Sequence, residues 1–241
     1  MSTITPHNDS LTYLKDYGYT VPIDFVPACI CKQIDDVVLN NSHRDILTYR
    51  QAGGTTVLLH YALWKAFMAD EKMDIVYCAY NTVNVRGILE AMLVVLKNRY
   101  VKDGKYHTIE QKLNTYNERI VMDGHRVVMT RDTGLLDAVR GRRNCLVLID
   151  NAFWRSYDFE VQDTLEQLRL WNVPYVNLQS GLFTSLDNYF ASATDIVRFP
   201  YYLSANYSLE VENSLINRLG ENKYCLEYLL IKETENERRL F

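Results

Sequence analysis

The sequence has few proline and glycine residues, no paired cysteine motif and no long apolar run. Only 5 prolines and 10 glycines occur among 241 residues, and no segment has the composition of a low-complexity linker. The 5 cysteines form no CxxC pair, so neither a disulfide framework nor a zinc site is indicated. No stretch approaches the ~18 apolar residues of a membrane span, and residues 1–9 lack a signal-peptide core. We therefore expect an intracellular protein that does not associate with membranes.

An excess of positive charge is also missing. The chain has 26 Lys and Arg residues against 30 Asp and Glu residues, a formal net charge of −4. The protein as a whole therefore lacks the positive field that is typical of nucleic-acid-binding proteins. One local exception is the basic segment with Arg140, Arg142 and Arg143. It is either solvated surface or a contact with DNA or a phosphate group.

What the chain does have is a composition that can bury a core, with 48% hydrophobic residues. Two kinds of apolar segment alternate along it. Strands are predicted at 45–49, 74–80, 119–122, 125–130, 145–149, 175–178 and 196–199, and helices at 32–40, from residue 57 onward, and at 83–97, 109–117, 159–171 and 209–218. Asp123 and Gly124 predict a tight hairpin between the two strands that flank them.

This alternation predicts an α/β fold of the P-loop NTPase type, with a mostly parallel sheet flanked by helices. We expect three parts along the chain. Residues 1–30 form an N-terminal arm, residues 31–205 form the α/β core, and residues 206–241 form a C-terminal helical segment with a charged tail.

The predicted strand 45–49 leads into a glycine-containing turn that opens a helix, which is an arrangement typical of phosphate binding. The turn reads Arg50-Gln51-Ala52-Gly53-Gly54-Thr55-Thr56. Backbone N–H groups and the helix dipole would point at a bound phosphate. Gly53 and Gly54 are expected to supply the conformational freedom of the loop.

Two oxygen-bearing side chains are candidates for binding magnesium. Thr55 occupies the first helical turn, from which a hydroxyl group can reach the metal ion. Asp150 ends the most apolar strand of the chain and would supply the second protein contact. Each residue alone also has an ordinary explanation, because Thr often caps a helix and Asp often ends a strand. Their order along the chain, with strands between them, favours a nucleotide fold.

These motifs resemble the ATPase domain of the tailed-bacteriophage terminase large subunit, the DNA-packaging motor. The phosphate loop of that family reads Arg-Gln-x-Gly-Lys-Thr-Thr, and Arg50 to Thr56 is similar to it. The segment Asp137 to Gly141 is similar to the Arg-Gly segment that precedes the magnesium strand of the family. Ala152 and Phe153 extend the similarity beyond that strand. The resemblance covers about residues 30 to 230 in collinear order.

Two weaker matches complete the resemblance. Val176 to Gly181 is similar to the coupling motif of the family, which places Gln179, Ser180 and Gly181 in that role. Lys223 to Leu229 is similar to the Phe-x-x-Glu-Tyr segment that closes the ATPase region. No nuclease domain follows before Phe241, so the resemblance implies that this chain is not a whole packaging motor.

The sequence departs from the family at two positions that matter for catalysis. Gly54 replaces the lysine that neutralises the β- and γ-phosphates, and loss of one preorganised donor typically costs about 3–4 kcal/mol. Asn151 replaces the glutamate that activates water, and an amide can orient water but cannot act as a general base. Arg50 matches the loop arginine of the family, which acts on the γ-phosphate, and it is the candidate to replace the lysine.

The resemblance therefore implies a phage terminase-like protein with a degenerate nucleotide site. It would bind ATP or ADP with Mg²⁺ weakly or not at all, and its function would be binding or regulation linked to DNA packaging. Phage packaging proteins and DNA are the implied partners, and the host cell cytoplasm is the implied location. One alternative is an active motor ATPase in which Arg50 and Asn151 are catalytic. Another is an interaction module that mimics a motor subunit. The sequence does not indicate an oligomeric state.

Overall fold

An eight-stranded sheet forms the centre of the computed structural model, which describes residues 25–67, 69–99, 110–112, 118–122, 124–142, 144–153, 158–181, 196–204 and 206–230. The strands are β1 (His43–Thr48), β2 (Asp74–Ala79), β3 (Glu110–Lys112), β4 (Glu118–Met122), β5 (His125–Arg131), β6 (Cys145–Asp150), β7 (Tyr175–Ser180) and β8 (Ile196–Phe199). Their order across the sheet is β3-β4-β5-β2-β6-β7-β1-β8. The pairs from β5 to β8 are parallel, and β4 is antiparallel to both of its neighbours.

Helices and short helical turns connect the strands. They are α1 (Phe25–Asn40), α2 (Gly54–Phe67), α3 (Thr82–Arg99), α4 (Leu135–Val139), α5 (Asp158–Leu170), α6 (Leu209–Leu219) and α7 (Glu221–Tyr224), followed by a π-helical turn, Cys225–Leu229. In the part of the chain that the structure describes, no helix combines the length and the apolar character needed to cross a membrane.

The core lies on both faces of the sheet. Alternate residues of β6 point to opposite faces, so Leu146 and Leu148 pack with the cluster that includes α1, α2 and α3. Val147 and Ile149 pack with the cluster that includes α4 and α5. All six residues of β6 are buried, which is typical of a central parallel strand covered on both sides. The predicted α/β fold, a mostly parallel sheet flanked by helices, is therefore confirmed.

The predicted hairpin is confirmed, but the predicted helix at 109–117 is wrong. Met122 pairs with His125 across the turn, and β4 and β5 are antiparallel. Residues 110–112 form strand β3. This strand pairs with β4, and Gln111 lies opposite Ile120. Residues 113–117 lie outside the described residues. The free edge of β4 offers ladder hydrogen bonds to this segment, and that tertiary contact overrides its weak helical preference.

Helix α1 begins earlier than the sequence predicts. It starts at Phe25, so residues 25–30, which we assigned to the N-terminal arm, are helical. Val26, Ile30, Ile34 and Val37 recur at helical spacing and are fully buried. Pro27 obscured this pattern, although proline is tolerated in the first turn of a helix. The rest of the arm and the charged tail lie outside the described residues, and the division into three parts stays a prediction.

Candidate functional site

The two predicted magnesium ligands meet at one edge of the sheet. The phosphate-loop segment follows β1, Asp150 ends β6, and β7 lies between these two parallel strands. The carboxyl ends of β1 and β6 therefore share an edge, which is where ligands bind in open α/β sheets. Thr55 Oγ1 donates a hydrogen bond of 3.0 Å to Asp150 Oδ1 across a separation of 95 residues. The structure brings the two segments together, and their roles in binding stay a prediction.

Asp150 is buried and held by three hydrogen bonds. Its Oδ1 accepts from Thr55 and, at 2.8 Å, from Asn151 Nδ2. Its Oδ2 accepts from the hydroxyl of Tyr77 at 2.7 Å. Burial raises the pKa of Asp150, and the three donors oppose this shift because they stabilise the charged form. The carboxylate is thus fixed in orientation at the carboxyl end of β6.

Tyr77 is a site residue that the sequence analysis missed. Tyr77 lies in β2 and is fully buried. Asp150 pairs with Ala79 of the same strand, which is two residues after Tyr77. Residues two apart on a strand share a face, so the long side chain of Tyr77 can reach the carboxylate diagonally. The only signal in the sequence was a polar tip within an otherwise apolar buried strand, since a buried tyrosine hydroxyl normally has a partner. Burial raises the pKa of Tyr77, and the nearby Asp150 carboxylate raises it further.

Asn151 holds the ends of two strands together. Its side-chain Oδ1 accepts a 2.7 Å hydrogen bond from the backbone N–H of Ser180. The backbone N–H of Asn151 donates to the Leu178 carbonyl at 2.9 Å. Its Nδ2 contacts Asp150, so both ends of the amide are engaged. The backbone has φ 49°, a left-handed conformation that asparagine adopts more readily than glutamate does. The structure therefore gives Asn151 a role in joining β6 to β7.

We predicted that Gly53 and Gly54 both supply conformational freedom to the phosphate loop, but only Gly53 has a positive φ angle. Gly53 has φ 79° and Gln51 has φ 67°, and Gly54 is the first residue of α2. Gly54 instead lies in close contact with the Leu178 side chain of β7. A Cβ atom there would lie 2.8 Å from Leu178 Cδ2, a distance that carbon atoms do not adopt without a shift. Any side chain at position 54 would therefore require the δ-carbons of Leu178 to move.

Arg50 is paired with the C-terminal segment. Its Nη1 lies 3.1 Å from Glu227 Oε1, and its backbone N–H donates to the Glu227 carbonyl at 3.0 Å. Lys223 Nζ lies 3.9 Å from the same carboxylate oxygen. The side chain of Arg50 is 39% exposed, whereas that of Glu227 is 10% exposed. A phosphate that recruits Arg50 would have to compete with this carboxylate.

The predicted coupling residues lie beside the loop. The strand pairing runs to Ser180, whose Oγ is 3.3 Å from Thr48 Oγ1. Gly181 donates its N–H to the Thr48 carbonyl at 2.8 Å with φ 85°, a conformation that favours glycine. Gln179 is fully buried and donates from Nε2 to Asn177 Oδ1 at 3.1 Å. Its Oε1 accepts no hydrogen bond from the described residues.

The residues present fit a magnesium ion that is held mainly by phosphates. No group of three or more His, Cys, Asp or Glu side chains that could hold a metal ion exists among the described residues. Mg²⁺ usually takes one or two protein ligands, several waters and the oxygens of substrate phosphates. Thr55, which is exposed, and Asp150 are placed for that arrangement, and Thr56, in the first turn of α2, is partly exposed beside them.

The basic segment lies at the other edge of the sheet. Arg140 and Arg142 precede β6, so they lie near its amino end and away from Thr55. Arg140 lies 3.8 Å from Asp137 with both side chains exposed, and Arg142 Nε donates to the Ala138 carbonyl at 2.6 Å. Arg143 lies outside the described residues. The structure therefore does not bring these arginines to the phosphate loop.

No protein-family model matches the chain, and no curated protein sequence matches it. Solved structures do match. The large terminase ATPase domain of Thermus phage P74-26 superposes with a TM-score of 0.60 at 12% identity, over 94% of this chain and 98% of that one. An arginine-to-alanine mutant of the same domain gives 0.62 at 11% identity, over 94% and 99%.

Two longer proteins share the same fold. The large terminase of a thermophilic bacteriophage, in complex with ADP, matches with a TM-score of 0.52 at 12% identity. That match covers 92% of this chain and 52% of that protein. The large terminase of bacteriophage HK97 matches with 0.52 at 14% identity, over 95% of this chain and 50% of that protein. At such low identity these likenesses establish the fold, and the chain has the α/β fold of phage large terminase ATPase domains.

Proposed function

We propose that this chain is a terminase-like protein that binds a nucleotide weakly at the carboxyl edge of its sheet and does not hydrolyse it efficiently. One observation carries this proposal. Thr55 and Asp150 keep a 3.0 Å contact beside the phosphate loop, while Leu178 fills the space of a side chain at position 54. The Thr55–Asp150 contact supports a magnesium-nucleotide site, and the packing of Leu178 against Gly54 disfavours a lysine side chain at this position.

The proposed ligand is ATP or ADP with Mg²⁺. Backbone N–H groups of residues 53–56 and the amino end of α2 would receive the phosphates, and Thr55 and Asp150 would hold the metal ion. The related large terminase bound to ADP supports this choice of ligand. Without a lysine at position 54, the phosphate charge is left to the magnesium ion, the helix amino end and Arg50.

Binding without turnover is favoured over a rearranged active ATPase. That alternative needs Arg50 to contact the γ-phosphate and Asn151 to place the attacking water. Arg50 is paired with Glu227, and both ends of the Asn151 amide are engaged by Asp150 and Ser180. An active site of that kind would require both sets of contacts to rearrange before the chemical step. We infer a binding or regulatory role linked to DNA packaging in the host cell, with packaging proteins and DNA as partners.

A thermal-shift titration with ATP, ADP and Mg²⁺ tests the proposal, together with a steady-state ATPase assay. Because a ligand that binds the native state raises the melting temperature, we expect a small rise with nucleotide plus Mg²⁺. The Thr55→Val variant should lose this rise, and Thr133→Val, an exposed threonine in a turn away from the loop, should keep it. Turnover above about 1 per second, in the ordinary enzyme range, would refute the non-catalytic role. The absence of any nucleotide-dependent shift would refute the binding site.

A further inference from the structure

A second concave site lies at the opposite edge of the sheet. It is a cavity of about 620 Å³ whose lining includes Lys72, Asp74, His125, Arg126, Arg140 and Arg142, hereafter called the basic pocket. Its volume lies within the range of about 300–1,000 Å³ that is usual for small-molecule sites. Its lining is polar and cationic, which sets it apart from the sites of apolar ligands.

The fold assembles this pocket from three neighbouring strands. Asp74 is the first residue of β2 and His125 is the first residue of β5. Arg142 lies in the turn that precedes β6. Because β5, β2 and β6 are adjacent and parallel, their amino ends meet at one edge. Basic residues that are distant in sequence are therefore gathered on the side of the sheet away from the phosphate loop.

Asp74 fixes the orientation of two arginines. Its Oδ2 lies 2.6 Å from Arg126 Nε and 3.5 Å from Arg142 Nη1. Its Oδ1 accepts the backbone N–H of Arg126 at 3.2 Å. One carboxylate thus holds two guanidinium groups in a shared position. The side chains of Arg126 and Arg142 are 41% and 22% exposed, so both keep access to solvent.

The pocket has a large excess of positive charge in a protein whose net charge is −4. Among the described residues that line it there are four cations, Lys72, Arg126, Arg140 and Arg142, and one anion, Asp74, which gives these residues a net charge of +3 with His125 counted as neutral. Asp74 offsets part of this charge, and Asp137 lies 3.8 Å from Arg140, but the positive charge that remains is repulsive. An anionic ligand of high charge would relieve the repulsion.

Phosphate is the ligand chemistry that fits these side chains. Arginine forks bind phosphate oxygens through paired hydrogen bonds, and lysine contributes a point charge. We propose that the basic pocket binds a phosphate group, supplied by a nucleic-acid backbone or by a free phosphate-bearing anion. The pocket would act independently of the nucleotide site, since its residues lie at the other end of the strands.

Direct binding measurements on the full chain test this proposal. One arm titrates a short fluorescein-labelled DNA duplex by fluorescence anisotropy, and the other titrates inorganic pyrophosphate by calorimetry. The test variant is Lys72→Gln with Arg140→Gln, because neither side chain forms an ion pair with Asp74. The matched control is Lys32→Gln with Arg218→Gln, which removes the same charge from exposed helical positions outside the pocket. Melting curves verify that all variants fold.

We expect the test variant to bind about tenfold more weakly and the control to bind like the unchanged protein. If DNA is the source of the phosphate, the slope of log affinity against log salt should also fall by about 1 for each cation removed. Pyrophosphate binding that is sensitive to the test variant, with no DNA binding, would identify a free anion as the source. The proposal is overturned if neither probe binds, or if the test and control variants weaken binding equally.

Discussion

The terminase phosphate loop has a lysine where this chain has Gly54. Besides lacking the charge of that lysine, Gly54 is in close contact with a neighbouring strand. Gly54 lies against Leu178, a fully buried side chain of β7. An added Cβ atom would meet the δ-carbons of Leu178 at 2.8 and 3.2 Å. The substitution and the packing of the neighbouring strand are therefore linked. A lysine introduced at this position would require the Leu178 side chain to shift.

The first prediction concerns this contact. Gly54→Ala should lower the free energy of unfolding by about 1–3 kcal/mol, because an extra carbon in a filled space forces side chains away from their preferred conformations. Chemical denaturation measures the change. Gly87→Ala is the matched control, since Gly87 is a helical glycine with no atom within 4 Å of its Cβ position. It should be neutral or stabilising by up to about 1 kcal/mol.

A double-mutant cycle separates packing from backbone effects at the same position. In a Leu178→Ala background the added Cβ at position 54 has room, so Gly54→Ala should cost much less there than in the native background. An equal cost in both backgrounds would mean that the close approach of Leu178 does not determine the residue at this position.

At the scale of elements, the segment formed by α7 and the π-helical turn contacts the start of the phosphate loop through Glu227 and Arg50. Tyr224 and Tyr228 stack at 5.6 Å, and Tyr228 meets Tyr201 edge-on at 5.7 Å. Through these aromatic contacts the segment packs against the hydrophobic core. Glu227 extends from it to Arg50, which makes the C-terminal segment part of the environment of the loop.

The second prediction concerns this ion pair. Glu227→Gln should increase the rise in melting temperature that MgATP produces, because a neutral amide competes less well than a carboxylate for the Arg50 guanidinium. The cost to stability without ligand should be about 1–2 kcal/mol, since Arg50 is 39% exposed and partly screened by solvent whereas Glu227 is only 10% exposed. Thermal-shift titration measures both effects. Glu90→Gln, an exposed glutamate on α3, is the control. An unchanged or smaller nucleotide-dependent rise would argue against competition between Glu227 and phosphate.

At the scale of the whole molecule, the sheet separates two sites of different character. The carboxyl edge carries Thr55 and Asp150, and the amino edge carries the basic pocket. Strand β6 connects the two edges with six residues, a distance of about 17 Å at the rise of a parallel strand. This exceeds the Debye length of about 8 Å at physiological ionic strength. Direct electrostatic influence between the sites is therefore weak.

The third prediction concerns this separation. Thr55→Val and Arg50→Gln, which alter the carboxyl edge, should leave the affinity of the basic pocket for the DNA duplex, where the duplex is the phosphate source, within about twofold of the unchanged protein. Fluorescence anisotropy at physiological salt measures this affinity. A larger change would show that the two edges communicate through the sheet or through a change in conformation.

Several regular elements were predictable from the sequence because their cause is local. Helix α2, strand β6 and the turn at Gly124 each follow from apolar periodicity or turn chemistry within a few residues. The segment at 110–112 was not predictable in this way. Its strand conformation depends on an edge of β4 that exists only after the hairpin has formed.

The sequence by itself determined the fold class and placed the phosphate-loop and aspartate segments at the ends of strands. It could do so because the periodicity of apolar residues and the positions of glycines are local features of the sequence. Only the tertiary structure decided what surrounds them. The Tyr77 bond to Asp150, the Leu178 contact at Gly54 and the pairing of Arg50 with Glu227 join residues that are distant in sequence. The same holds for the basic pocket, which exists because three parallel strands begin at one edge. Such contacts are set by strand order and register, which local patterns do not specify.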